Sequence, residues 1–138
     1  MQLTPYLQFE NGMCRAALAH YGKVLGGKVT GQMTFGEAPE GAPVGPDWND
    51  KVMHALFEAE GLTLFACDSP PEYQKAPAGI ALTLSVDTPQ EAERIFAALG
   101  EGGSITMEMS ETFWAQRFGM LTDRYGMPWM VSCNKPME

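Results

Sequence analysis

The chain of 138 residues shows the same order of predicted secondary structure twice, and this repeat constrains the fold most strongly. Apolar spacing predicts a first strand, helix and three strands over residues 2–9, 13–25, 28–35, 51–60 and 62–67. The same order then follows over residues 80–86, 88–99 and 104–109, with two strands and a tight turn in 113–131. Two βαβββ modules that each leave one sheet face apolar predict an α+β fold, in which the modules pack as a pair around a shared cavity.

Short matches between the two copies support the repeat and indicate where each module ends. The matching pairs are Leu7 with Leu84, Phe9 with Val86, Ala17 with Ala92 and Tyr21 with Phe96. The length fits a single domain over residues 1–138. We expect module 1–67 and module 79–134, joined by a linker at 68–78 that begins Asp-Ser-Pro-Pro.

Cap and turn residues mark several element ends. Thr88 is the predicted side-chain cap of the second helix, and Pro89 is its first helical residue. Asn11 is a candidate cap for the first helix. The last turn ends in Gly126, which is suited to a positive φ. Pro128 cannot donate to a strand ladder, so we expect it at a sheet edge or at the start of a strand.

Charge and cysteine content exclude several classes of function. A net charge of −8 argues against a nucleic acid or an anionic membrane as the partner, because both require a basic surface. The three cysteines include no CxxC pair, so neither a zinc knuckle nor a thioredoxin-type motif is present. The first residues resemble no secretory signal, and no apolar run is long enough to span a bilayer. We therefore expect a cytoplasmic protein with reduced thiols.

One segment, residues 36–50, differs from the rest because it is rich in proline and glycine. A loop of this length is usually a functional lid or a mobile segment. Trp48 lies near its end, where it either covers a pocket or anchors the loop to the surface.

Four motifs give the chain a resemblance to a known family. They are Leu7-x-Phe, Ala17-x3-Tyr-x3-Leu-Gly-Gly, Met53-His-Ala-Leu and Glu111-Thr-Phe-Trp-Ala-x-Arg-Phe-Gly-x3-Asp-x-Tyr-Gly-x-Pro-Trp. Over its whole length the chain resembles the PhnB-like branch of the vicinal oxygen chelate superfamily, which includes glyoxalase I, extradiol dioxygenases and bleomycin-resistance proteins. The resemblance implies paired βαβββ modules, an open cup-shaped mixed sheet with helices outside, and a homodimer.

Members of this branch are often labelled demethylubiquinone methyltransferases. A methyltransferase of the doubly wound type needs a glycine-rich turn after its first strand to hold the cofactor, and Asn11-Gly12 does not provide one. We therefore expect no cofactor.

The resemblance also identifies the positions that hold the metal in metal-dependent members. They align with Thr4, Phe65, Ala81 and Met130, and none of these residues is a good ligand for a divalent cation. A register slip of two would place Tyr6, Cys67, Thr83 and Ser132 there instead. One thiol and three hydroxyls do not make a convincing site either, so we expect no metal.

The remaining polar and aromatic residues suggest a ligand site, although each has a structural interpretation as well. His54 is either a hydrogen-bonded strand residue or a general acid/base, and Cys67 is either a small core residue or a nucleophile. Arg117 is a candidate for binding a carboxylate or phosphate, and it should face away from Trp114, three residues before it. The predicted ligand-binding set is Tyr6, His54, Phe65, Cys67, Trp114, Arg117 and Met130.

The sequence is compatible with two functions. The first is a protein that binds a small, partly aromatic molecule without a metal, like the bleomycin-resistance members. The second is a lyase- or isomerase-type enzyme that uses His54 as its base, or a metal held in a non-standard way.

Overall fold

The computed structural model describes residues 1–38 and 45–136, and these form two compact units. The first unit is Met1–Lys75 and the second is Ala76–Glu138, so the division falls inside the segment predicted to be a linker. Within the first unit the elements are β1 (Tyr6–Phe9), α1 (Cys14–Leu25), β2 (Lys28–Thr34), β3 (Val52–Ala59) and β4 (Leu62–Asp68). Those of the second unit are β5 (Leu82–Ser85), α2 (Pro89–Gly100), β6 (Ser104–Ser110), β7 (Ala115–Thr122) and β8 (Pro128–Asn134).

Each unit has the same open, mixed sheet. The strand order is β1-β4-β3-β2 in the first unit and β5-β8-β7-β6 in the second. The outer strand that precedes each helix runs parallel to its neighbour, and the other pairs are antiparallel. The predicted α+β fold of two βαβββ modules is therefore confirmed.

The core of the first unit lies between α1 and one face of its sheet. The helix contributes Ala17, Leu18, Tyr21 and Val24, all buried. The Tyr21 ring lies 6.4 Å from that of Phe9, between ring centroids. Strand residues on the same side are buried as well, among them Leu7, Ala55, Phe57, Leu64 and Ala66. Helical spacing in the sequence predicts a buried face of Ala17, Tyr21, Val24 and Leu25. The first three are buried, and Leu25 is only half-buried.

Regular alternation along the third strand predicts Val52 on the face of His54, opposite Ala55. This prediction was wrong at Val52, which is buried, as Ala55 is. The β2–β3 register shifts between Met33–His54 and Thr34–Val52, leaving Met53 as an extra residue. Such a bulge reverses the alternation locally, so Val52 joins the core while His54 remains on the opposite, exposed face.

The start of α1 is stabilised by Asp68 rather than by Asn11, so that predicted cap was wrong. Asn11 lies in a left-handed turn with φ 57°, and the residue that precedes the helix is Met13, whose side chain caps nothing. The buried Asp68 carboxylate accepts hydrogen bonds from the Cys14 amide at 2.9 Å and the Val52 amide at 2.8 Å. One side chain thus ties β4 to both α1 and β3.

In the second unit, helical spacing predicts a buried face of Ala92, Ile95, Phe96 and Leu99, and α2 buries all four. The Thr88 hydroxyl caps this helix by accepting a hydrogen bond from the Glu91 amide at 3.1 Å. Gly126 has φ 90°, and Pro128 is the first residue of β8, as expected. The turn before β8 is closed by the buried Asp123, whose carboxylate accepts from the amides of Tyr125 and Met127 and from the Trp129 indole.

Other boundaries differ from those predicted. The first strand begins at Tyr6 rather than at residue 2, because Pro5 has no amide hydrogen for the ladder. The sequence pattern predicts Val29 and Met33 as the apolar anchors of β2, but both are exposed at the edge of the sheet.

The predicted loop 36–50 lies partly outside the described residues, since 39–44 are not among them. Trp48 packs edge-on against Phe35, with ring centroids 5.6 Å apart, which favours the anchor interpretation. No helix in residues 1–38 and 45–136 is both long and apolar enough to cross a membrane.

Replacement of Asp68 tests its role in the first unit. We expect Asp68→Ala to lower the free energy of unfolding by about 2–5 kcal/mol, because two buried amides lose their acceptor. The matched control, Asp50→Ala at an exposed position, should stay within about 0.5 kcal/mol of the parent. Urea titration followed by far-ultraviolet circular dichroism measures both, and equal midpoints for the two variants would contradict this role.

A glycine pair tests the packing of α2 on its sheet. A Cβ on Gly119 would lie 2.6 Å from Cε1 of Phe96 and 2.7 Å from Sδ of Met109. We expect Gly119→Ala to destabilise the protein by about 1–3 kcal/mol through overpacking. Gly31 also lies within a strand, and the one atom within 4 Å of a Cβ added there is the Leu56 Cβ, at 3.9 Å. Gly31→Ala should therefore be neutral or stabilising. Thermal denaturation measures both variants.

Candidate functional site

Four of the predicted site residues meet on the face of the first sheet that α1 does not cover. Tyr6 is the register partner of Phe65 across the parallel β1–β4 pair, and Cys67 is two residues further along β4. His54 lies on β3, one residue before the Ala55–Ala66 pair. Because strand residues alternate between faces, the four side chains lie on one side. We call Tyr6, His54, Phe65 and Cys67 the Tyr6 cluster.

The rings of the Tyr6 cluster are in mutual contact. Ring centroids are 5.7 Å apart for Tyr6–His54, 5.3 Å for His54–Phe65 and 6.0 Å for Tyr6–Phe65, the last edge-on. The Tyr6 hydroxyl oxygen lies 3.1 Å from Nδ1 of His54, a hydrogen-bond distance. Tyr6 is 45% exposed and His54 is also exposed, so part of each of these two rings is available to a ligand.

Both acidic groups of the Tyr6 cluster favour their neutral forms. Burial raises the pKa of Tyr6 to about 12, and the neighbouring Cys67 contributes to the increase. Burial likewise raises the pKa of the Cys67 thiol, although the neighbouring Tyr6 hydroxyl opposes the shift. At neutral pH Cys67 is therefore a thiol rather than a thiolate, which favours its structural interpretation over the nucleophilic one.

Two of the remaining predicted residues lie in the second unit on the sheet face opposite α2. Trp114, 43% exposed, packs edge-on against Phe113 and Phe118, with centroids 4.8 and 5.3 Å away. Met130 is half-buried and pairs in register with Thr83 on one side and Met120 on the other. Met120 in turn pairs with Met107, giving a row of three methionines. This row was not predicted, since its strand register is not visible in the sequence.

Arg117 is engaged by its own unit. Its guanidinium forms an ion pair with Glu93 of α2, and Nε donates to that carboxylate at 2.7 Å. It also donates to the Met109 carbonyl at 3.1 Å. Arg117 thus faces α2 while Trp114 packs on Phe118, so the prediction that they face opposite sides is confirmed. The carboxylate that Arg117 binds belongs to the protein itself, and no local sequence pattern indicates this pairing.

The strand register also changes which residues lie beside Phe65 and Met130, two of the positions that align with metal ligands in metal-dependent members. The resemblance placed the metal positions at Thr4, Phe65, Ala81 and Met130, but Thr4 and Ala81 lie before β1 and β5 begin. The observed partners are Tyr6 for Phe65 and Thr83 for Met130. Within the described ranges, no three residues of the types His, Cys, Asp and Glu are grouped so that they could hold a metal ion.

A shallow depression lies elsewhere in the first unit, at the beginnings of β1 and β4. It shares no residue with the Tyr6 cluster and is lined by Gln2, Leu3, Thr4, Gly61, Leu62 and Thr63.

Comparison with known proteins identifies the family. The family model described as 3-demethylubiquinone-9 3-methyltransferase matches residues 1–132. Protein YjdN of Escherichia coli K12 is 35% identical over 143 aligned positions, which cover 98% of this chain and 97% of YjdN. The solved structure of protein PA1353 from Pseudomonas aeruginosa is 45% identical, with a TM-score of 0.87 and 99% of each chain covered. The chain belongs to this family.

More distant structures define the fold class. A Bacillus cereus protein titled as a putative 3-demethylubiquinone-9 3-methyltransferase, PhnB protein, is 24% identical, covers 96% of this chain and 99% of its own, and gives a TM-score of 0.78. The fosfomycin resistance protein FosX of Listeria monocytogenes is 9% identical, with coverage of 98% and 93% and a TM-score of 0.63. These likenesses show the fold, which is that of the vicinal oxygen chelate superfamily.

The raised pKa of Cys67 predicts slow alkylation. We expect iodoacetamide to modify Cys67 more slowly at neutral pH than in the urea-unfolded chain, because the thiolate is the reacting species. The rate should rise with pH to a midpoint above the ordinary thiol value, as measured by peptide mass spectrometry. Cys14 and Cys133 are buried internal references in the same digest. A midpoint below the ordinary value would show an activated cysteine instead.

Proposed function

We propose that this protein binds a small, partly aromatic organic molecule at the Tyr6 cluster, without a bound metal or cofactor. The observation that carries the proposal is the hydrogen bond between the Tyr6 hydroxyl and His54, set among three contacting and partly exposed rings. Binding sites for small molecules usually combine apolar walls with a few fixed polar groups. The cluster offers both, with Phe65 and Tyr6 as walls and His54 as the polar group.

The family description names a methyltransferase, but the features of the chain favour binding. The connection from β1 to α1 passes through Asn11 and Gly12, both with positive φ, and contains no glycine-rich phosphate loop. The fold likeness to a protein named for fosfomycin resistance is compatible with a small organic ligand. We place the chain in the PhnB-like branch on the basis of the C-terminal motif and the family match.

An enzyme of lyase or isomerase type is the second candidate. The observation in its favour is that Tyr6 holds the His54 ring in one orientation, as a catalytic histidine requires. In that case His54→Ala should abolish turnover yet leave Phe65-dependent binding in place. If the same replacement leaves both ligand affinity and any turnover unchanged, the enzyme candidate is excluded.

Fragment binding tests the proposed site. We expect a panel of monocyclic aromatic fragments, screened by amide chemical shifts on chelator-treated protein, to perturb residues 6, 54, 65 and 67. Phe65→Ala should weaken the best fragment about fivefold to tenfold, since stacking on an aromatic ring contributes about 1 kcal/mol. The control Tyr73→Ala, at an exposed tyrosine of the same unit, should leave affinity unchanged. Shifts confined to the depression at Thr4 and Thr63 would place binding elsewhere.

A metal titration tests the remaining part of the proposal. Calorimetry with Ni²⁺, Zn²⁺, Mn²⁺ and Fe²⁺ should show no stoichiometric tight binding. The positions that correspond to the metal ligands hold Phe65 and Met130, beside the Tyr6 phenol and the Thr83 hydroxyl, and these are poor ligands for such ions. Submicromolar stoichiometric binding of any of them would overturn the metal-free proposal.

The oligomeric state, the cellular location and the absence of nucleic-acid or membrane binding are proposed as well. We propose a homodimer in the cytoplasm that binds neither nucleic acid nor membrane, on the basis of the family resemblance and the net charge of −8. Sedimentation as a monomer at micromolar concentration would refute the dimer.

A further inference from the structure

The proton shared by Tyr6 and His54 determines what the site can recognise. The two groups lie 3.1 Å apart, and either the hydroxyl donates to Nδ1 or a protonated Nδ1 donates to the hydroxyl. A neutral imidazole carries one proton, so the first arrangement leaves it on Nε2 and the second leaves Nε2 bare. The ligand-facing nitrogen is a donor in one case and an acceptor in the other.

The surroundings of Tyr6 favour the first arrangement. The other possible acceptor for the Tyr6 proton is Cys67, and burial keeps that group a neutral thiol, which is a weak acceptor. The imidazole nitrogen is a much better one. The raised pKa of Tyr6 also keeps the phenol protonated at neutral pH, so it remains able to donate.

We infer that Tyr6 fixes His54 as the tautomer protonated on Nε2, so that the site takes neutral aromatic ligands that carry a hydrogen-bond acceptor such as a carbonyl. This inference rests on the proposed function. In the described part of the chain Nε2 has no protein partner, and the His54 side chain is exposed. The overall net charge of −8 also opposes the approach of an anionic ligand to the protein. In this tautomer Nε2 donates a hydrogen bond to the ligand rather than accepting one.

The tautomer can be read directly, without any ligand. The chain has two histidines, so long-range ¹H–¹⁵N spectra at neutral to mildly alkaline pH show two rings, and His20→Asn assigns them. We expect His54 to show a protonated Nε2 and an unprotonated Nδ1. Tyr6→Phe should produce a mixture of tautomers, whereas the matched control Tyr73→Phe should not change the spectrum. A protonated Nδ1 in the parent protein would overturn the inference.

Ligand choice separates this inference from the proposed function. Acetophenone can only accept a hydrogen bond and indole can only donate one, so acetophenone should bind about fivefold to tenfold more tightly at the Tyr6 cluster. Tyr6→Phe should reduce that preference, and His54→Phe should remove it. Preference for indole at the cluster would overturn the tautomer assignment but leave binding intact. If neither probe shifts residues 6, 54, 65 and 67, the proposed site and its ligand class fail, whatever the tautomer.

Discussion

The first unit depends on one buried carboxylate. Asp68 ends β4 and accepts the amides of Cys14 and Val52, so it fixes where α1 begins and where β3 enters the sheet. Both amides would otherwise be buried without a partner, which costs about 1–3 kcal/mol each. The position of Val52 also affects the rest of β3, because the bulge at Met53 comes directly after Val52. His54 reaches the exposed face because Val52 is held in the core before it.

The sequence was sufficient for the order and type of elements, because those follow from local periodicity and from cap and turn residues. Thr88, Gly126 and Pro128 each act through their own backbone geometry, and all three are where they were expected. The cap of α1 could not be found in this way. Its acceptor, Asp68, is 54 residues away from Cys14 in the chain, and no local pattern reports a partner at that separation.

The candidate site was predictable in its residue types but not in its grouping. Aromatic residues and a histidine on strands suggested a ligand surface, and the structure brings Tyr6, His54 and Phe65 into contact. Strand register decided the rest, because a shift of two residues replaces Thr4 with Tyr6 beside Phe65. Arg117 shows the opposite case. Its chemistry suited an external anion, yet a helix carboxylate from Glu93 satisfies it, and only tertiary packing reveals that.

The repeat gives a reason to locate recognition in the first unit. Equivalent pairs in the two sheets are Tyr6 with Phe65 and Thr83 with Met130. The backbone relation is the same, but one pair carries a phenol and a ring while the other carries a short hydroxyl and a flexible thioether. Methionine adapts to many shapes and specifies few. A phenol bonded to an imidazole fixes both a plane and a hydrogen-bond direction, so we propose that selectivity for a ligand comes from Tyr6 and His54.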